Sequence, residues 1–116
     1  MEALFIVLND LSLVDDILET FVDLKIKGAT LLESQGMAAA IMKKEGLFES
    51  FQSGPFYRSL DHDQKYSKTI FTVLPDGYDT SKVISSVKEI VSKSKRNVVG
   101  FMFTTPVSGV YPLTKK

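Results

Sequence analysis

Cysteine and tryptophan are absent from this chain of 116 residues, and histidine occurs once, at His62. Without cysteine there is no disulfide and no thiolate metal site, a composition that fits a reducing cytoplasm. A lone histidine leaves no serine–histidine–acid set to argue from spacing, and no convergent acid, base and nucleophile can be named. The chain therefore reads as a non-enzyme. Neither sign of charge is in excess, since 14 basic residues balance 14 acidic ones. A chain with no net field does not gather polyanions, because nucleic-acid binding rests on neutralising phosphates, so nucleic acid is not an expected partner. Long hydrophobic runs are missing as well. The N-terminal string MEALFIVLND carries Glu2 where a signal peptide needs basic residues, and its apolar core covers only residues 3–8. A membrane span needs about 18–20 apolar residues. The expectation is a soluble cytoplasmic protein with no membrane insertion.

What is present is ordinary globular material, 44% hydrophobic and 24% charged, in a length that makes one domain over residues 1–116. Its densest apolar stretch is residues 68–75, KTIFTVLP. Ile70, Phe71, Val73 and Leu74 form a near-continuous run that predicts a strand covered on at least one face and central to its sheet. Pro75 ends it and Asp76-Gly77 supplies the turn. Residues 3–8 (ALFIVL) match it in character and predict a second buried strand.

Helical periods follow each of these strands. Val14, Ile17, Leu18, Phe21 and Leu24 make one apolar stripe, Ser12 and Asp15 have capping-box spacing, and Gly28 is placed as the left-handed stop. Residues 29–34 (ATLLES) predict a strand ended by Gly36. Residues 79–93 predict a second helix, capped by Asp79 or Thr80, with the stripe Val83, Ile84, Val87, Ile90 and Val91. Residues 98–105 (VVGFMFTT) predict the fourth strand, stopped by Pro106, and residues 107–116 form a short tail. Residues 37–66 show no clean period. A loop this long inside so small a domain is as a rule functional or mobile, and the stretch is the expected place of the chain's function.

The resulting order is β-α-β, excursion, β-α-β. Two such units side by side give an α+β, ferredoxin-like βαββαβ sandwich, an antiparallel four-stranded sheet with both helices on one face. Phe5, Phe71, Phe101 and Phe103 lie on strands that supply residues to both faces, so the face without helices needs cover. Self-association is the simplest cover.

Order and local strings together resemble the P-II family of nitrogen regulatory proteins. The similar strings are EALFIVLN, SLVDDILETFVDLKIKGATLLESQGM, KTIFTVLPDGYDTSKVISSVKEIV and VVGFMFTTPV, about two thirds of the chain, with KGATLLESQG the most specific. The resemblance implies a homotrimer with its sheets facing inward, ligand clefts between subunits, and a protruding loop, here 37–66, that docks onto a target protein such as a transporter or enzyme. It implies an adenine nucleotide as effector. Thr30 falls at the family's adenine-contacting threonine, Val73 on the adenine wall, Gly36 at the loop base and Gly100 at the last glycine of the phosphate-binding turn. Met37, beside Gly36, and Thr104, whose hydroxyl can face the cleft, complete the candidate ligand set. The phosphate-binding cations of the family are replaced: Phe101 stands where a lysine belongs, and Pro112 and Thr114 stand where two arginines do. Such cations hold a triphosphate by charge-assisted hydrogen bonds.

Other readings stand beside this one. The same architecture serves a trimeric structural or interaction module whose cleft is filled by its own side chains, such as Phe101, or a metal-linked trimer resembling the CutA family. Asp61-His62-Asp63 suggests metal binding, although adjacent residues converge poorly on one ion and a solvated loop is the plainer account. Lys93, Lys95 and Arg96 serve either as anion ligands or as favourable charge at a helix C-terminus. Phe48, Phe51, Phe56 and Tyr57 serve either as a docking surface or as cover for the sheet. Met37, Met42 and Met102 read as core filler before they read as ligand contacts.

Overall fold

The structure is a computed structural model and describes residues 1–37 and 66–115. Four strands, β1 (Glu2–Leu8), β2 (Thr30–Ser34), β3 (Ser67–Leu74) and β4 (Gly100–Pro106), form one sheet in the order β2-β3-β1-β4. Every neighbouring pair is antiparallel. Helices α1 (Val14–Asp23) and α2 (Thr80–Val91) form the connections after β1 and after β3. The arrangement is α+β and compatible with a ferredoxin-like sandwich.

Strand period decides what each face carries. Along β1, Leu4, Ile6 and Leu8 are buried while Phe5 and Val7 are half-buried. The buried set pairs across the ladder with Thr72 and Ile70 of β3 and with Thr104 and Met102 of β4. Leu4, Ile6, Leu8 and Ile70, with Met102 at the margin, meet Val14, Ile17 and Phe21 of α1 and Val83, Val87 and Ile90 of α2 in one core, whereas Thr104 at the sheet edge stays exposed. Each fully buried aliphatic side chain stabilises the fold by about 1.5–3 kcal/mol, so this layer holds the two helices to the sheet. The apolar stripes expected for both helices are the ones that face it, with Leu18, Leu24 and Val91 at its partly buried margin. Ile84 is half-buried.

Helix ends differ from expectation at three points. The entrance to α1 is a 3-10 turn, Leu11–Leu13, whose N-cap is Asp10 rather than Ser12. The Ser12–Asp15 capping box does not form; Ser12 instead donates its backbone N–H (3.2 Å) and its hydroxyl (2.6 Å) to the Asp10 carboxylate. Likewise α1 stops well before Gly28. Lys25 takes the left-handed conformation (φ 62°), its N–H reaching Val22 O while the N–H of Ile26 reaches Phe21 O. That pair of bonds is a Schellman closure, and it is fixed by Ile26 packing on the core, which leaves no room to carry the helix on to the glycine. Helix α2 is capped by Asp79, which accepts from the Lys82 N–H at 3.2 Å, and it ends at Val91, before Lys93.

Strand β4 begins at Gly100, later than expected, and includes Pro106, which was expected to stop it. Proline is tolerated there because β4 is an edge strand and has no ladder to feed on its outer side. The Val107 N–H still reaches Met1 O at 3.1 Å, and the Met1 ammonium pairs with Asp76 at the turn after β3.

Candidate functional site

The sheet face turned away from the helices is the largest feature left without a partner among the described residues. Alternation places Leu32 of β2, Phe71 and Val73 of β3, Phe5 and Val7 of β1, and Phe101 and Phe103 of β4 on it. Phe5 stacks on Phe103 with centroids 4.8 Å apart and on Phe71 at 5.5 Å, and Phe101 lies 6.2 Å from Phe103. Phe101 is 62% exposed, Leu32 51% and Phe103 45%. The remaining positions on this face are Ala3 and hydroxyl residues: Thr30, Ser34, Ser67, Thr69 and Thr105. No charged residue lies among them. At the end next to residue 37, Ser34 shares its hydroxyl with Ser67 (2.6 Å) and Thr69 (3.0 Å), so the polar atoms there satisfy one another and do not demand water.

The candidate ligand residues fall at two separated edges. Thr30 lies opposite Phe71 in the β2–β3 ladder, a diagonal neighbour of Val73 on the same face. Beside them a cleft of about 310 Å³ is lined by Lys25, Lys27, Gly28, Val73, Pro75 and Tyr78. The backbone around it is tied down, with the Thr72 hydroxyl donating to Gly28 O (2.6 Å) and the Tyr78 hydroxyl to Leu24 O (2.5 Å). Gly100 and Thr104 sit on β4, at the opposite edge of the sheet. Three strand spacings separate β2 from β4, roughly 14 Å, so one chain alone does not bring these residues together. Thr104 lies opposite Leu4, on the helix side, whereas Thr105 faces the open side. Gly36 and Met37 follow the end of β2, and Met37 is 76% exposed, which sets aside a core role for it. Met102 is half-buried against the core, as expected.

The segment between α2 and β4 is directed inward. The Asp10 carboxylate accepts from the hydroxyls of Ser12 and Ser94, each at 2.6 Å. Arg96 donates to Asn9 O at 3.4 Å, and the N–H groups of Asn9 and Asp10 both reach Val99 O. Hydrogen bonds from Ser12 and then Ser94, with the Arg96 charge, hold the Asp10 carboxyl below its ordinary value of 3.8, while burial opposes them. An external phosphate would meet a like charge here. Lys93 and Lys95 lie past the end of α2, so the basic residue in its last turn is Lys88.

Asp10 carries no assigned role in the sequence analysis. Its signal was the pair Asn9-Asp10 ahead of an apolar-periodic segment, an N-cap pattern as good as the one assigned to Ser12. Among the described residues no three His, Cys, Asp or Glu side chains cluster as a metal site would need, and no helix is long and apolar enough to cross a membrane. Asp61-His62-Asp63, Met42 and the aromatics Phe48, Phe51, Phe56 and Tyr57 lie outside the described residues. No family model matches the chain, and no curated protein sequence does either.

Proposed function

We propose that this chain is the subunit of a P-II-like regulatory homotrimer, in which copies bury their open sheet faces against one another and a small effector binds between subunits. The observation that carries the reading is the open face itself, with Phe71, Phe5 and Phe103 abreast on three adjacent strands and no charge around them. A membrane or nucleic-acid surface would call for basic residues there. A second copy supplies matching apolar surface and satisfies closed symmetry. Association would also bring the β2 edge of one subunit toward the β4 edge of another, joining Thr30 and Val73 to Gly100 and Thr104. Effector binding then regulates a target protein, a transporter or an enzyme, by shifting the balance of states of the 37–66 loop, which requires different affinities for those states.

The chemistry of the effector follows from the cations. Asp10 already engages Ser94 and sits beside Arg96, and Phe101 offers an aromatic surface in place of a charge. An adenine ring or nucleoside with little phosphate fits this chemistry better than a triphosphate. The exposed Phe101 favours a second reading, a structural or interaction trimer whose own phenylalanines fill the clefts. Sedimentation equilibrium on the purified chain tests the assembly, with a trimer expected and a concentration-independent monomer overturning it. Isothermal titration with adenosine, cyclic adenine nucleotides, ADP and ATP separates the two readings: heat from the low-phosphate ligands supports the regulatory one, and silence from all of them supports the structural one.

A further inference from the structure

We propose that a second cleft, between α2 and the start of β4, binds a small amphipathic carboxylate, burying its apolar tail against the core and pairing its head with Lys88. The cleft shares Gly100 and Phe101 with the inter-subunit site proposed above, but Ile6, Leu8, Val87, Lys88 and Met102 lie on the helix side of the sheet, so its occupancy is read from those residues and not from association.

Ile6 and Leu8 of β1, Met102 of β4, and Val87 and Val91 of α2 line this cleft, with Lys88 the only charged residue in its lining. Its existence follows from two local facts. Gly100 has φ +153°, and a Cβ built on it would stand 2.0 Å from Val7 O, so β4 begins with bare backbone drawn tight against β1. Helix α2 stops at Val91, after which the chain turns toward Asp10 and leaves the last helical turn covering the sheet incompletely. Val91 and Met102 are consequently only half-buried. An apolar concavity of this kind gains from any apolar occupant that displaces its water.

Size and charge narrow the ligand. The volume is about 210 Å³, below the roughly 300–1,000 Å³ of sites for drug-sized molecules, which points to a single short chain or a single ring. Lys88 makes no ion pair among the described residues. A lone ammonium matches a singly charged head, whereas phosphate groups call for more donors than one lysine supplies.

The test titrates the full chain, methyl-labelled at Ile, Leu, Val and Met, with octanoate and separately with octan-1-ol. Octanoate is expected to shift the methyls of Ile6, Leu8, Val87 and Met102 saturably, binding roughly threefold to tenfold tighter than the alcohol. Lys88→Met, an exposed change on a helix surface, is expected to bring octanoate down to the level of the alcohol. Val91→Phe, which fills the cleft, is expected to abolish both. Equal binding of acid and alcohol, unchanged by Lys88→Met, would overturn the carboxylate assignment. The site itself is overturned by an absence of saturable shifts, or by shifts confined to Leu32 and Val73 on the open face. It is overturned equally if the cleft methyls shift with protein concentration alone, which would mean that a neighbouring copy fills it.

Discussion

The rings of Phe5 and Phe103 lie 4.8 Å apart and within 6° of parallel, directly opposite each other on β1 and β4 and on the sheet face that the helices leave open. Phe71 continues the row on the far side of Phe5. Rings held in register this way form a flat apolar ridge on adjacent strands. Stacked aromatic pairs are worth roughly 0.5–1.5 kcal/mol beyond the area they bury, and the ridge realises most of that only when a further surface excludes water from it.

Phe103 is therefore the residue through which assembly can be separated from folding. It is 45% exposed in the single chain and lies outside the core, so Phe103→Glu should leave the far-UV circular dichroism and the thermal transition of the monomer nearly unchanged. In an interface the new carboxylate would be buried without a partner. The penalty for an uncompensated buried charge is about 3–5 kcal/mol, equivalent to at least about a hundredfold weaker association. Sedimentation velocity should show the variant as a monomer at concentrations where the parent chain is associated. An unchanged sedimentation profile would mean that copies do not meet through this face.

Gly100 and Gly28 should respond very differently to the same substitution. At Gly100 a Cβ would stand 2.0 Å from Val7 O, at a φ of +153° that side chains rarely adopt. Both the clash with rigid backbone and the conformational strain act against alanine, so Gly100→Ala should cost roughly 2–4 kcal/mol in urea unfolding. Gly28 has nothing within 4 Å of the same point, and Gly28→Ala should change stability by no more than about 0.5 kcal/mol.

Lys25 carries a cost that glycine would remove. It is the left-handed residue that closes α1, and a non-glycine residue there gives up about 1 kcal/mol to its own Cβ. Lys25→Gly is expected to raise the unfolding free energy by about 0.5–1 kcal/mol, with Lys25→Asn giving a smaller gain. A drop in stability would show that the lysine side chain contributes more than the backbone strain costs.

Most of the fold could be read from periodicity, because the signals were long and mutually consistent. The run Ile70–Leu74 and the stripe Val14, Ile17, Phe21 each permit one element type, and β3 and α1 are those elements. Helix ends were less legible for a physical reason. Gly28 and Lys25 compete for the same role, and the winner is decided by where Ile26 can pack on the core, a tertiary fact invisible in local spacing. Asp10 shows the same limit: its capping role was within reach of local pattern, but its contact with Ser94, 84 positions away, was not. The candidate ligand set was assembled from a resemblance and not from geometry, and its members lie toward opposite edges of the sheet, so the described residues of one chain do not bring them together. The open face was legible in outline, since four phenylalanines on the expected strands exceed what one covered face can take.

Asp10 offers a test in which charge and capping can be told apart. Its carboxyl is held below the ordinary value of 3.8 by hydrogen bonds from Ser12 and Ser94 and by the Arg96 charge. A carboxyl with a depressed folded pKa binds protons more tightly when the chain is unfolded. Its contribution is therefore complete above the unfolded value and is lost as the pH falls through the folded one. At neutral pH, Asp10→Ala should cost about 1–2 kcal/mol, because it removes the cap of the turn leading into α1 and leaves the Ser94 hydroxyl without this acceptor. On acidification below about 3.8 the gap between parent and variant should narrow as the parent becomes protonated. Asp10→Asn keeps a capping oxygen without the charge, so at neutral pH it should fall between parent and alanine. Its difference from the parent should likewise shrink in acid, whereas its difference from Asp10→Ala should stay level. Equilibrium unfolding in urea at a series of pH values measures all three curves. A parent-to-alanine gap independent of pH would show that the carboxylate acts at this junction by shape alone.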